Sequence, residues 1–378
     1  MAWTIEHIAQ YTPGDAGIGL GFLTDGTCCV AYRAGGDIHE ALRAVGATTW
    51  TDTVILSNAT IVANDPGGMQ LGSWAYDVRG SKRALAYWAK HANAPNATYP
   101  DATTTYPPRL WQGVNSGGGW SFAALHSYTE AVYWRYWVPD PAHWYISDAN
   151  GIFPRGLGVA VTAAGAVGVF VAVADASIGA DVTPFGNAIE LWVDGSLTTV
   201  ENLADGSAYG VKDSIVADSA SNLHLLWHGY DDDAIYTLKY SENGGGVTEL
   251  YSDASVGCYT AGLALDAADN VFAFYSIDGG SGFCLPIGGA AEATGYFETV
   301  SGAVKGTGLN AAGNAYLGSL IYMARTSAGT WRTETVGNQK PYLNDMAATT
   351  SKLCIAFTDA NGAWLATQGG RAPFWMIF

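Results

Sequence analysis

Charged residues are scarce in this chain: they make up 13% of its 378 residues, about half of the share usual in soluble domains. Basic residues are scarcer than acidic ones, with 17 Lys and Arg against 34 Asp and Glu and a formal net charge of −17. This balance argues against nucleic acid as a partner, because the phosphate backbone repels an acidic surface. Intrinsic disorder is excluded as well, since it requires few aromatic and apolar residues, whereas this chain is 49% hydrophobic and 12% aromatic.

The chain also lacks any apolar run long enough to span a bilayer. Its first residues show no basic stretch followed by an apolar segment, which is the pattern of a secretory signal peptide. We therefore expect no membrane insertion, and synthesis in the cytoplasm. Arrival at an extracellular surface would require transport with a larger assembly, or processing.

Cysteine is rare and follows no metal-binding or redox spacing. The five cysteines include no Cys-x-x-C pair, which argues against a zinc site and a redox motif. Each stands among apolar residues, where a free thiol behaves as a small hydrophobe. One disulfide is the alternative that remains open. The five are Cys28, Cys29, Cys258, Cys284 and Cys354.

A helical period of apolar residues is not sustained over ten residues anywhere, and the best stretch, 39–45, also fits a strand. Glycine, by contrast, is abundant, with 48 residues. Glycine turns that alternate with aromatic and β-branched residues are typical of many short strands. The composition predicts an all-β fold with almost no helix.

Three segments share a Trp followed by alternating polar and apolar residues, the period of a half-buried strand. They are Trp3–Ile8, Trp50–Ile55 and Trp331–Val336. The first two begin 47 residues apart (50 minus 3), and the last two begin 281 apart (331 minus 50), close to six steps of that size. A strand that recurs at a step of about 40–50 residues is the sequence sign of a β-propeller, with one copy per blade.

A second repeat consists of an apolar strand, a turn rich in Gly, Asn or Ser, and another apolar strand that ends in an aromatic residue. Clear copies occupy 20–32, 214–227 and 263–275, and weaker ones begin at Trp74, Phe122, Val159, Gly308 and Met346. The count predicts a single β-propeller of about eight four-stranded blades. Seven is the alternative, if the irregular insertion around 90–110, rich in Pro, Asn and Thr, joins two units into one.

The last unit offers only three strands, so we expect residues 1–10 to supply its outer strand and close the ring. This pairing would remove a free sheet edge. The propeller would then span 1–370. The very apolar tail, 371–378, would dock on this molecule or on another subunit of an assembly, or would add a strand to the last blade. The residues expected at such a contact are Phe374, Trp375, Ile377 and Phe378.

Three turns place Asp or Asn between a Ser or Thr and a later aromatic or Thr residue. They are Ser147–Phe153, Ser241–Thr248 and Thr358–Trp364. They resemble, in degenerate form, the Asp-box hairpin between the outer strands of sialidase-like (BNR) propellers. The resemblance covers most of the chain loosely and implies a propeller in which the box is a folding element away from the active face. Sialidase-like enzymes also bind the substrate carboxylate with three arginines, and no three of the ten arginines here can be placed on equivalent strand ends.

The densest candidate for a binding site is an aromatic hairpin over 133–145. Aromatic rings stack on the C–H faces of sugars while charged groups bond the hydroxyls, so this hairpin predicts a glycan platform. Ordinary blade packing is the alternative, because alternation places Trp134, Tyr136 and Val138 on one face. The candidate residues are Trp134, Arg135, Tyr136, Trp137, Asp140, His143 and Trp144.

Three consecutive carboxylates, Asp231, Asp232 and Asp233, follow an apolar strand. Together with backbone carbonyls they could hold Ca²⁺, but a calcium loop usually spaces its ligands at alternate positions. A solvated acidic turn therefore explains them better, and no cofactor is expected. No Gly-x-Ser-x-Gly elbow or phosphate-binding loop is present.

These observations predict a non-enzymatic recognition or structural module, part of a larger assembly such as a phage virion (tail, fibre or capsid decoration) or a surface appendage. Its expected location is the virion or an extracellular surface, and its expected task is attachment, most simply to a cell-surface glycan. Two alternatives stay open: a carbohydrate-active enzyme, glycosidase or polysaccharide lyase, on a sialidase-like propeller, and a free-standing lectin. Fold alone does not decide among them, because propellers serve all three roles.

Overall fold

The structure is a computed structural model. It describes residues 3–10, 17–64, 69–91, 109–127, 153–174, 187–203, 207–230, 235–278, 281–294, 300–305, 308–314, 319–326, 329–336, 343–349, 352–359 and 361–369.

The chain begins with the outer strand of its last blade, β1 (Trp3–Gln10). Blade 1 follows, with β2 (Ile18–Phe22), β3 (Cys28–Ala34), β4 (Asp37–Arg43) and β5 (Thr51–Leu56). A short helix, α1 (Asn58–Asn64), leads to blade 2, with β6 (Met69–Arg79), β7 (Lys82–His91), β8 (Arg109–Asn115) and β9 (Ser121–Ser127). Blade 3 contains β10 (Phe153–Val161), β11 (Val167–Ala174), β12 (Asn187–Val193) and β13 (Ser196–Leu203).

Blade 4 has a divided inner strand and contains β14 (Ser207–Tyr209), β15 (Ile215–Ala217), β16 (Leu223–Tyr230), β17 (Tyr236–Glu242) and β18 (Thr248–Asp253). Blade 5 contains β19 (Cys258–Leu265), β20 (Val271–Ile277), β21 (Ser281–Pro286) and β22 (Glu292–Ala293). Blade 6 contains β23 (Val300–Lys305), β24 (Gly308–Asn314), β25 (Leu320–Arg325) and β26 (Trp331–Thr335). Blade 7 contains β27 (Leu343–Ala348), β28 (Lys352–Asp359) and β29 (Gly362–Gly369), completed by β1.

The fold is a ring of seven antiparallel four-stranded blades, and the described residues are mostly strand, with α1 as their one α-helix. This confirms the all-β prediction, the near absence of helix and the seven-blade alternative. The prediction of an eighth blade was wrong. The repeat copies that begin at Trp74 and Phe122 belong to one blade, because Trp74 lies on its inner strand β6 and Phe122 on its outer strand β9. The insertion around 90–110 separates the middle strands of that blade, β7 and β8.

The N-terminal strand closes the ring, as predicted. Strand β1 pairs antiparallel with β29, from Trp3 opposite Gln368 to Gln10 opposite Gly362. The three Trp segments are all outer strands: β1, the start of β5 and β26. Five blade steps, not six, separate the second from the third, because the blades between them are longer than 47 residues on average.

Aromatic side chains on the second strands fill the space between blades. The six largest fully buried side chains all lie on these strands, because a ring face held between two sheets loses nearly all contact with water. Burial of each contributes about 2–3 kcal/mol. They are Tyr87, Trp88, Phe170, Trp227, Phe274 and Phe357. All five cysteines are buried and free, so the disulfide alternative is wrong.

The two faces of the ring differ in the length of the segments that join the strands. We term the first the connection face. In each blade the second strand ends there and the third strand begins there, and the segments that join one blade to the next also lie on this face. Segments there include 92–108, 128–152 and 175–186. On the opposite face, termed the turn face, the longest segment between strands is 44–50. Long connections concentrated on one face of a rigid scaffold are typical of a binding surface.

Candidate functional site

The residues predicted from the sequence lie outside the described residues. This applies to the aromatic hairpin (Trp134 to Trp144), the acidic triplet (Asp231 to Asp233) and the apolar tail (Phe374 to Phe378). The aromatic hairpin belongs to segment 128–152, between β9 and β10, which meet at the connection face. The triplet follows β16, which ends at the same face.

The described residues enclose a cavity of about 470 Å³ on the axis of the ring. Inner strands of all seven blades line it, so it is the central channel of the propeller. Its size suits a small ligand. Most of the residues that line it are apolar, and its charged side chains belong to Asp77, Arg79, Lys212, Asp213 and Asp345.

Lys212 and Asp213 reach the channel because the inner strand of blade 4 is interrupted. Between β14 and β15 the backbone makes a tight turn, in which Ser214 N–H donates to Val211 O (3.0 Å) and Val211 N–H donates to Ser214 Oγ (2.8 Å). Gly210 is the first residue after β14, where the irregular segment starts. A Cβ at this position would lie 2.5 Å from the ring of Phe170, so only glycine fits. The turn displaces two charged residues from an otherwise apolar strand towards the axis.

An ion pair crosses the channel from blade 4 to blade 7. Lys212 Nζ lies 3.1 Å from Asp345 Oδ1 and 3.1 Å from Asp213 Oδ2. The side chains of Lys212 and Asp345 are 17% and 11% exposed, so water screens this contact only in part. Burial raises the pKa of Asp345 to about 6, against the opposing effect of Lys212. Burial lowers the pKa of Lys212, but Asp213 and Asp345 raise it by more, so the amine stays charged.

Carboxylates in the channel also bind backbone N–H groups of the next blade. Asp345 Oδ2 accepts from Leu20 N–H (2.7 Å), and Asp77 Oδ2 accepts from Val161 N–H (2.6 Å). An inner strand has no further strand to pair with, so these carboxylates satisfy donors on a free sheet edge. Burial raises the pKa of Asp77, and the bond from Val161 opposes the rise. The cluster therefore fastens neighbouring blades and, through Lys212, opposite sides of the ring.

Sequence reasoning missed this cluster. One feature of the sequence could have indicated it: Lys212 and Asp213 are adjacent charged residues between Gly210 and Ser214, in the part of a repeat unit where the inner strand should consist of small apolar residues. Asp345 likewise interrupts an apolar strand. Arg79 marks the end of the channel near the turn face, where its Nη1 donates to Ala217 O of blade 4 (2.8 Å).

A second group of polar side chains lies at the connection-face end of the channel, where β14 and β19 begin. The ring of His228 stacks on Tyr209, with centroids 5.3 Å apart and planes at 14°. It meets Tyr259 edge-on at 5.7 Å. His228 Nδ1 lies 2.9 Å from both the backbone N and Oγ1 of Thr260. Burial lowers the pKa of His228 to about 4.

We predict that His228 stays neutral at every pH above about 4. Its folded pKa lies below its ordinary value of about 6.5, so the unfolded chain binds a proton first as the pH falls. The stability that His228 contributes is therefore fully present above about pH 6.5 and is lost as the pH falls towards 4. Urea unfolding of the wild type and of His228→Gln between pH 7.5 and 4.5 measures this difference. A pH-independent difference would contradict the prediction.

The described part of the chain offers no group of three His, Cys, Asp or Glu side chains arranged to hold a metal ion. No helix within the described ranges is long and apolar enough to cross a membrane.

The two described Asp-box-like turns occupy different positions in their blades. Ser241–Thr248 joins third and fourth strands, and Ser241 Oγ donates to Gly245 O (3.2 Å). Thr358–Trp364 joins second and third strands, and Asp359 Oδ1 accepts from Asn361 N–H (2.7 Å) and Trp364 Nε1–H (2.8 Å). The third, Ser147–Phe153, extends into residues outside the described part. The described pair therefore does not constitute a repeat at one blade position.

A different turn does recur, between the first and second strands of blades 4 and 5. Asp218 Oδ1 accepts from Asn222 N–H and its Oδ2 from the Asn222 amide, at 2.7 and 2.8 Å. Asp266 holds Asn270 in the same way, at 3.0 and 2.8 Å. Both turns lie on the turn face, so they are structural elements of the repeat.

No protein-family model and no curated protein sequence matches the chain. Among solved structures, it is similar to a catalytically inactive virginiamycin B lyase from Staphylococcus aureus with quinupristin (TM-score 0.53, 12% identity, 97% of this chain and 100% of that one). It is also similar to Trypanosoma rangeli sialidase (0.46, 9%, 92% and 53%) and to an Aleuria aurantia lectin in complex with Fucalpha1-6GlcNAc (0.42, 11%, 87% and 97%). At such low identity, the similarity to the lyase shows that the two chains share the β-propeller fold, and no more.

Proposed function

We propose that this protein is a non-enzymatic recognition propeller that binds a glycan at its connection face. The observation that carries the proposal is the difference between the two faces: long segments leave one, whereas the other carries only short turns. A rigid ring with its variable segments on one side is suited to present a binding surface. The cross-channel ion pair supports this view, because it fastens the scaffold beneath that surface.

The ligand class follows from the composition of segment 128–152. It contains Trp134, Tyr136, Trp137 and Trp144 together with Arg135, Asp140 and His143. Aromatic rings and a few polar groups are what sugar binding requires. The proposal includes membership of a larger assembly, such as a phage particle or a surface appendage, with the apolar residues 374–378 as the contact.

A glycan array probed with the full chain tests the proposal, and the expected result is binding to a defined set of sugars. Replacing Trp134, Trp137 and Trp144 together with alanine should weaken the best hit at least tenfold, because the stacking surface is lost. Val45→Ala is the matched control: Val45 is 71% exposed and lies on the turn face. Unchanged binding by the triple variant, or no hit on the array, would contradict the proposal.

A glycosidase is the second candidate, because two carboxylates share one amine inside the 470 Å³ channel. A carboxyl with a pKa of about 6, such as Asp345, is suited to act as a general acid beside an ionised partner. Product analysis of each array hit separates the candidates. Cleavage that is abolished in Asp345→Asn would establish the enzyme, whereas binding without any product supports recognition.

A further inference from the structure

Two aromatic residues and a histidine meet where blades 4 and 5 adjoin the mouth of the channel. Tyr209 ends the three-residue inner strand β14, Tyr259 is the second residue of the inner strand β19, and His228 stands near the end of β16. All three strand ends lie on the connection face. Tyr259 is 46% exposed, an unusual position for a large aromatic side chain that also contacts a half-buried neighbour.

The hydrogen bonds of His228 determine which of its nitrogens carries the proton. The backbone N–H of Thr260 can only donate, and it points at Nδ1 from 2.9 Å, so Nδ1 is the acceptor. A neutral imidazole then carries its proton on Nε2. Among the described residues, none accepts a hydrogen bond from that Nε2–H. His228 therefore presents a fixed, uncharged donor at the channel mouth.

Asp278 adds a carboxylate that is held against Tyr259, the residue whose ring meets His228 edge-on. Its Oδ1 accepts from the hydroxyl of Tyr259 (3.0 Å), and its Oδ2 accepts from Gly257 N–H (2.8 Å). Gly257 is required here, because a Cβ at that position would lie 2.6 Å from Oδ2. Each carboxylate oxygen keeps a second lone pair for a ligand hydroxyl. The carboxylate also fixes the orientation of the exposed Tyr259 ring.

We propose that Tyr259, His228 and Asp278 form a subsite for an uncharged sugar ring, in which Tyr259 stacks on the sugar, His228 Nε2–H donates to one of its oxygens, and Asp278 accepts from a hydroxyl. The proposal rests on the proposed function, since it assumes that the connection face binds glycans. It places a sugar-binding subsite away from segment 128–152, and it predicts that this subsite prefers uncharged sugars to acidic ones. The Asp278 carboxylate, on a chain of net charge −17, repels the carboxylate of a sialic or uronic acid, and the neutral His228 supplies no positive charge to offset it.

The test compares neutral and acidic sugars on the full chain. NMR signals of the His228 ring are followed while galactose, fucose, N-acetylglucosamine or sialic acid is added to high millimolar concentration. Neutral sugars should shift these signals in a saturable manner, and sialic acid should shift them at least tenfold less at equal concentration. Tyr259→Ala should weaken the neutral-sugar response at least tenfold, and Tyr259→Phe, which keeps the ring, about threefold. Val247→Ala, 39% exposed on the turn face of blade 4, is the control.

Failure of this subsite is distinguishable from failure of the proposed function. If array binding persists in Tyr259→Ala but is lost when Trp134, Trp137 and Trp144 are replaced, the subsite is wrong and glycan recognition by the face stands. A larger response to sialic acid than to neutral sugars also overturns the subsite. If neutral sugars shift His228 and Tyr259→Ala abolishes the effect, the subsite is supported, whatever the role of segment 128–152. Unchanged circular dichroism of each variant excludes unfolding as the cause.

Discussion

Removal of residues 1–10 is expected to open the ring and destabilise the protein by on the order of 5 kcal/mol. That loss is comparable with the whole stability of many domains, which is about 5–15 kcal/mol. Strand β1 pairs with β29 from Trp3 to Gln10, with one irregularity between His7 and Ala9. Without it, β29 becomes an exposed edge and blade 7 retains three strands.

The effect is large because β1 also contacts the blades on both sides. Trp3 packs edge-on against Tyr322 of blade 6, with ring centroids 5.3 Å apart. Ile8 packs between blade 7 and blade 1, and Glu6 forms an ion pair with Arg43 of blade 1. Deletion therefore removes contacts at two seams of the ring in addition to a sheet partner.

Urea unfolding of the full chain and the deletion variant measures the loss. A synthetic peptide of residues 1–10 should restore stability progressively, with the logarithm of its concentration above its Kd, since it binds only the folded ring. Removal of residues 371–378 is the control, with a smaller expected effect. A deletion variant of 1–10 that is as stable as the full chain would rule out ring closure by β1 as a source of stability.

The blade architecture was predictable from the sequence where the strands carry a regular alternation of polar and apolar residues. The outer strands β1, β5 and β26 share a half-exposed environment on the outside of the ring, and the alternation of polar and apolar residues in their sequences reflects that environment directly. The blade count was not predictable in the same way. Phe122 resembles the start of a unit, but hairpin pairing with β8 makes it part of an outer strand. Periodicity carries no information about such a choice.

The cluster of charged residues in the channel could not be predicted from local sequence patterns, because it also depends on how the strands assemble. Lys212 and Asp345 meet across the axis only because seven blades close into a ring, and nothing in the sequence around either residue indicates the other. His228 stands close to the acidic triplet in the sequence, but its role as a fixed donor depends on Thr260 of the next blade. The sequence could therefore indicate which strands exist, whereas contacts between blades required the closed ring.

Substitution of Lys212 by methionine is expected to destabilise the protein by about 3 kcal/mol at pH 7. Methionine has a similar length but leaves Asp213 and Asp345 facing each other without the amine. Removing one partner of a largely buried pair costs more than the pair contributes, because the remaining charge keeps its desolvation penalty. Urea unfolding at pH 7 measures the change. Lys352→Met, an exposed residue on β28, should stay within about 0.5 kcal/mol of the wild type.

The pH dependence of this variant gives the sharper test. Burial already raises the pKa of Asp345 to about 6, and loss of Lys212 raises it further. A carboxyl whose folded pKa exceeds its unfolded value favours folding at low pH and loses that contribution as the pH rises. Lys212→Met should therefore recover part of its lost stability between pH 7 and pH 5. Adding Asp345→Asn should give a similar recovery at pH 7, because Asn removes the charge and keeps an oxygen to accept from Leu20 N–H. If neither low pH nor the second substitution restores stability, the channel carboxylates are not the cause of the loss, and the ion pair does not hold the ring together.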